Sequence, residues 1–117
     1  MSENSKYIAK LIVRDTVSST SVVLPVEDIV LIETFRHTVE VHTQENTYHA
    51  SDRLYKIFNL LDPEHFLRVS NSVVIAKDKV RQINPTLSMK FILTMVGGRE
   101  VDVTRSYYYI FKEHFGI

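Results

Sequence analysis

The chain has no cysteine, which excludes structural disulfides, thiolate zinc sites and cysteine nucleophiles and leaves the reducing cytoplasm as the default compartment. No apolar run approaches the roughly 20 residues that cross a bilayer. The opening stretch, Met1 to Lys6, is polar with no signal-peptide core behind it, so neither membrane insertion nor export by that route is expected. Glycine and proline number three each and gather into no linker or low-complexity tract. No phosphate loop, HExxH pair or nucleophile elbow occurs, and the lone Gly97-Gly98 pair suits a turn better than a phosphate, so an enzyme is not supported. An excess of one charge is also lacking, since 14 basic residues balance 14 acidic ones.

What is present is globular. Apolar residues make up 44% and charged residues 24% of 117 residues, which suits one compact domain with its own core. Residues 7–117 are assigned to that domain and 1–6 to a short tail. The balanced charge hides a segregation: residues 1–65 carry six Lys or Arg against ten Asp or Glu, and residues 66–117 carry eight against four. A basic second half is a weak electrostatic footprint for nucleic acid, and chance scatter explains it equally well.

Periodicity predicts a mostly β protein. Tyr7, Ala9, Leu11 and Val13 alternate with Ile8, Lys10, Ile12 and Arg14 as in a half-buried strand, and a Ser/Thr loop leads to a second strand at Val22 to Leu24. Pro25, Glu27 and Asp28 suit a single helical turn before a buried strand at Ile29 to Ile32. Thr38 to Thr43 and Thr47 to Ala50 read as a hairpin. A helix capped by Ser51 puts Leu54, Ile57, Phe58 and Leu61 on one stripe before Pro63 bars continuation. Short strands are expected at Phe66 to Val69, Val73 to Ala76 and Arg81 to Asn84. Met89 to Val96 then meets Glu100 to Val103 through a two-residue Gly97-Gly98 turn. Thr104 or Ser106 is placed to cap a C-terminal helix with Tyr107, Ile110, Phe111 and His114 on one face.

Five histidines raise a metal or general acid–base role. His37 and His42, five apart, fall on opposite faces of an extended segment, and His42 and His49 have no evident third ligand, so no metal site or cofactor is assigned. Polar residues at loop positions are more suggestive: Arg36 and His37 before a strand, Ser70 and Asn71 between two strands, and Arg105 at a strand-to-helix junction. Arg donates two bonds to guanine, Asn bonds adenine at two atoms, and His donates to a base edge or a phosphate. Each also has an ordinary explanation, such as a local backbone bond for Asn71 or an ion pair with Asp102 for Arg105.

Three blocks resemble the LytTR family of bacterial DNA-binding domains, and the likeness covers roughly Tyr7 to Phe115. They are LPVEDIVLIET from Leu24 to Thr34, LDPEHFLRVSNSVVIAKDKV from Leu61 to Val80, and GGREVDVTRSYYYIFKEHF from Gly97 to Phe115. The resemblance implies an elongated β-β-β fold of small antiparallel sheets with one mid-chain helix and a C-terminal helix, whose loops enter successive major grooves of a promoter direct repeat. By position it implies base contacts from His37, Asn71 and Arg105, with Ser70 beside them and Arg36, Arg68 and Lys77 as candidates for phosphate positioning. Arg68 has an inward, structural alternative. Ser70 stands where His is frequent in the family, Ala76 replaces a frequent Asn, and Thr104 replaces a frequent Ser.

The implied function is sequence-specific binding of double-stranded DNA by a bacterial transcription regulator of the response-regulator output type. Such a chain is either free-standing or separated from its receiver domain. A homodimer on the repeat and RNA polymerase or a regulatory protein are the further partners implied. A protein-interaction module on the same scaffold is the alternative, favoured by neutral net charge and the aromatic run Tyr107 to Tyr109.

Overall fold

The computed structural model describes residues 6–117; of the expected tail, residues 1–5 lie outside the described residues. Ten strands and two helices follow one another as β1 (Lys10–Asp15), β2 (Ser21–Pro25), β3 (Leu31–Phe35), β4 (Thr38–His42), β5 (Thr47–Ala50), α1 (Leu54–Leu60), β6 (Phe66–Ser70), β7 (Val73–Ala76), β8 (Val80–Pro85), β9 (Phe91–Met95), β10 (Glu100–Val103) and α2 (Tyr108–Phe115). Short 3-10 turns occupy Val26–Asp28, Lys77–Lys79 and Arg105–Tyr107. A seven-stranded sheet has the order β2-β1-β5-β4-β3-β7-β6, a three-stranded sheet the order β10-β9-β8, and every pairing is antiparallel. The molecule measures 43 × 36 × 23 Å, flattened rather than drawn out along one axis.

Strands β3, β7 and β6 carry apolar side chains on both faces, because adjacent residues of a strand point oppositely. Ile32, Val74, Ala76 and Phe66 enter one core with Leu11, Val13, Val39, Val41 and the stripe Leu54, Ile57 and Leu61 of α1. Leu31, Ile75, Leu67 and Val69 enter a second core with Phe91, Leu93 and Met95 of β9, Val101 and Val103 of β10, and Phe111 of α2. The three strands thus form a wall shared by two cores, which is why their sequences run nearly unbroken in apolar residues. Strand β1, buried on one face only, alternates: Leu11 and Val13 are buried while Ile12 is 61% exposed.

Several boundaries depart from expectation. The first strand starts at Lys10, because the Ile8 N–H bonds the Leu60 carbonyl at the end of α1 (2.9 Å) and pulls the preceding residues off the sheet. Ser51 does not cap α1; Arg53 occupies the cap position with no side-chain bond, and its carbonyl accepts the Lys56 and Ile57 amides. The β9–β10 connection uses three residues, Val96 to Gly98, since Met95 already bonds the Arg99 carbonyl (2.8 Å). Gly97 and Gly98 hold φ of 87° and 91° there, backbone that only glycine adopts without strain.

Neither Thr104 nor Ser106 caps α2 by a side-chain bond. A 3-10 turn at Arg105–Tyr107 precedes the helix, and the inward face is Tyr107, Tyr108, Phe111 and Phe115; of the expected face, Tyr107 and Phe111 pack inward while Ile110 and His114 are exposed. Tyr108 stacks on Phe91 at 4.9 Å between ring centroids and Phe111 lies 5.1 Å from the same ring.

Truncating the fully buried Ile75 of the wall to Ala should destabilise the protein by about 2–5 kcal/mol. The corresponding change at exposed Ile12 should stay within about 0.5 kcal/mol. Urea denaturation of the two variants checks the wall; similar losses would refute it.

Candidate nucleic-acid interface

Antiparallel pairing brings the end of β3, the start of β4, the end of β6 and the start of β7 to the same end of the large sheet. Two tight turns therefore stand side by side, Arg36-His37 joining β3 to β4 and Asn71-Ser72 joining β6 to β7. Two strand spacings separate their centres, about 10 Å. The Thr34 N–H bonds the Ser72 carbonyl across the gap (2.9 Å).

The third segment is fastened to the second. Val69 is the extra residue of a bulge in β6, and its carbonyl accepts the Thr104 N–H (3.0 Å). That bond holds the Arg105–Tyr107 turn against the end of β6. The Tyr107 hydroxyl then donates to Asn71 Oδ1 (3.0 Å). All three expected loops share one rim, and Tyr107, expected only on a helix face and in an aromatic run, is the side chain that couples the last two.

Each predicted residue has a definite place on or off this rim. His37 and Arg105 are exposed, and among the described residues no side-chain hydrogen bond or ion pair engages either; the suggested Arg105–Asp102 pair does not form. Arg36 is exposed with its guanidinium 5.2 Å from the Phe35 ring centroid. Asn71 is exposed, its Oδ1 held by Tyr107 and its amide NH2 group left to face outward.

Two other candidates serve the turn itself. Arg68 is half-buried and donates from Nε to the Ser70 carbonyl (3.3 Å) and from a terminal nitrogen to the Asn71 carbonyl (2.5 Å), which is the inward alternative. Ser70 is buried, and its Oγ accepts the Ser72 N–H (3.2 Å). Lys77 is brought nowhere near the rim: it follows β7 at the opposite end of the strand, with Nζ 3.1 Å from His114 Nδ1.

Electrostatics and backbone strain mark the same edge. The segments 34–37, 69–72 and 104–107 contain no Asp or Glu and include Arg36, His37 and Arg105. Arg36 and His37 both hold positive φ, 52° and 68°, the two-residue hairpin geometry that Asn-Gly satisfies with least strain. Bulky residues there are costly to the fold. Of the aromatic run, Tyr107 is tied to Asn71 and Tyr108 is stacked on Phe91, which leaves Tyr109 as the well-exposed member.

Residues 19–116 match the sequence profile of the LytTr DNA-binding domain. The chain belongs to this family. The family is one of DNA-binding domains, not of enzymes. The chain is 29% identical over 92 residues to the sensory transduction protein LytT of Bacillus subtilis (strain 168), covering 79% of this chain and 38% of that protein. It is 30% identical over 86 residues to the transcriptional regulatory protein YpdB of Escherichia coli O6:H1, covering 73% and 35%. It therefore spans under two-fifths of the length of these relatives. A solved LytTr DNA-binding domain from Bacillus cereus superposes with a TM-score of 0.87 at 22% identity, covering 94% of this chain and 99% of that one, which establishes the shared fold. No helix among the described residues is long and apolar enough to cross a membrane.

Replacing Arg68 by Ala removes two charged donors from the 70–71 turn and should lower stability by about 1–3 kcal/mol. Faster amide exchange at Ser72 should accompany the loss, and unchanged exchange there would rule out the bracing role. Conversely, His37→Gly should raise stability by about 0.5–1 kcal/mol by relieving left-handed strain, read as a higher urea midpoint.

Proposed function

We propose that the rim formed by the 36–37, 71–72 and 105–107 segments binds double-stranded DNA sequence-specifically in the major groove. In this role the chain acts as the DNA-reading part of a bacterial cytoplasmic transcription regulator. The observation that carries it is the convergence of three unpartnered or half-partnered donors, His37, Asn71 and Arg105, on turns that themselves contain no Asp or Glu. A strained turn that keeps Arg and His where Asn-Gly fits better supports the same reading.

The roles differ by geometry. Arg105, on the short turn before α2, has a free guanidinium for a guanine edge, and Asn71 offers its outward amide to an adenine. His37 projects from the tip of the neighbouring hairpin to a base edge or phosphate. Arg36 takes a phosphate, while Arg68 and Ser70 shape the loop that carries Asn71. Lys77 lies outside this interface. Two copies head to tail would read a direct repeat, with the 36 Å and 23 Å extents of each copy close to or below the about 34 Å of one duplex turn. Regulation would then run through RNA polymerase or another regulatory protein.

Selection of bound duplexes from a random DNA pool should return a direct repeat, and a pool with no enriched motif would end the sequence-specific reading. Arg105→Ala should lose about 1–3 kcal/mol of discrimination at one base position, measured by anisotropy on single-base variants of the site. Affinity should fall with salt at a log-log slope of about −0.9 per phosphate contact; a flat response would exclude DNA as the partner.

A further inference from the structure

Beside the reading rim, on the face of the large sheet that carries Leu31, three ionisable side chains from two strands converge. Glu33 of β3 and Glu40 of β4 are direct cross-strand partners, a like-charge pairing that destabilises a sheet unless a cation lies between. His42, two residues along β4 on the same face, supplies the third group. Its Nε2 is 2.7 Å from Glu33 Oε2 and 3.5 Å from Glu40 Oε1, and one ligand atom from each of the three residues lies within 4.8 Å of the others. His42 is almost fully buried, with 4% of its side chain exposed, whereas Glu33 and Glu40 are about a quarter exposed, 29% and 24%.

The orientation of the imidazole is set from behind. Nδ1 lies 2.9 Å from Thr47 Oγ1, the kind of outer hydrogen bond that fixes a metal-binding histidine. Nε2 faces the two carboxylates, which only accept hydrogen bonds, so the place between them takes either the Nε2–H of the imidazole or, in its stead, a metal ion. Zinc bonds of about 2.0–2.2 Å to nitrogen and oxygen place tetrahedral ligand atoms about 3.3 Å apart, and small side-chain shifts bring the observed separations there. A groove of about 400 Å³, lined by Glu33, Ser72, Arg99 and Asp102 among others, opens this face to solvent. Glu40 Oε2 is also 3.9 Å from His49 Nε2, an outer partner for the second carboxylate.

We propose that Glu33, Glu40 and His42 form a binding site for a divalent transition-metal ion of the zinc class, with the fourth position left to water. An imidazole with two carboxylates suits such an ion, whereas calcium and magnesium favour all-oxygen sets. The ion displaces the proton between Nε2 and Glu33 and neutralises the cross-strand carboxylate pair. The proposal does not rest on the DNA-binding reading.

Zinc titration of the metal-stripped protein, followed by calorimetry and thermal melting, tests the site. One equivalent should bind saturably and raise the melting temperature. Glu33→Gln and Glu40→Gln should each weaken binding at least about tenfold, while His65→Ala and His114→Ala leave it unchanged. No uptake, or uptake indifferent to both Gln variants, overturns the site and leaves the His42–Glu33 hydrogen bond as the link between the strands. Should a Gln variant fail to fold, cobalt(II) added to the unaltered protein decides: the His42 ring resonances must shift and broaden ahead of those of His65 and His114, and the reverse order overturns the proposal.

Discussion

Burial of β3, β7 and β6 on both faces is the constraint on which the rest of the molecule depends. Every residue of a strand packed on two sides must fit one core or the other, so a slip of any length misplaces side chains in two close-packed interiors at once. Ile32 and Leu31, adjacent in sequence, belong to different cores, as do Val74 and Ile75. The wall therefore locks the relative height of its strands. The turns at its end, Arg36-His37 and Asn71-Ser72, inherit that height without needing strong contacts of their own.

The rim is finished by local polar bonds rather than by burial. The bulge at Val69 turns a carbonyl to Thr104, Arg68 braces the carbonyls of Ser70 and Asn71, and Tyr107 holds the Asn71 side chain. These bonds leave His37, Arg105 and the amide nitrogen of Asn71 unsatisfied by the protein. Buried groups in that state would be costly; exposed ones at the edge of a rigid sheet are pre-set donors. The left-handed turn at Arg36-His37 works the other way, accepting strain to keep two long donors at the tip.

The sequence made the strands and α1 legible because their patterns are strong: the alternation of β1, the apolar runs of β6 and β7, and the stripe Leu54, Ile57 and Leu61. Capping was less legible. Ser51 and Thr104 are good capping types, yet whether they cap depends on where the helix begins: α1 starts after Arg53, and the Arg105–Tyr107 turn stands between Thr104 and α2. The face of α2 was legible in part: Tyr107 and Phe111 pack inward as their spacing predicts, while the 3-10 turn before the helix leaves Ile110 and His114 outside. At the rim, residue type and loop position pointed to His37, Asn71 and Arg105. The inward role of Arg68 needed the turn geometry, and Lys77 is separated from the others by the length of β7. The Glu33, Glu40 and His42 cluster was invisible as spacing because its members come together only through the β3–β4 register.

The most direct test of the common rim is an NMR titration of the labelled protein with a selected duplex. Amide shifts should concentrate in residues 35–38, 70–72 and 104–107, with the β1–β2 hairpin and α1 nearly unmoved. Shifts centred on β1, β2 or α1, with those three segments silent, would contradict the account.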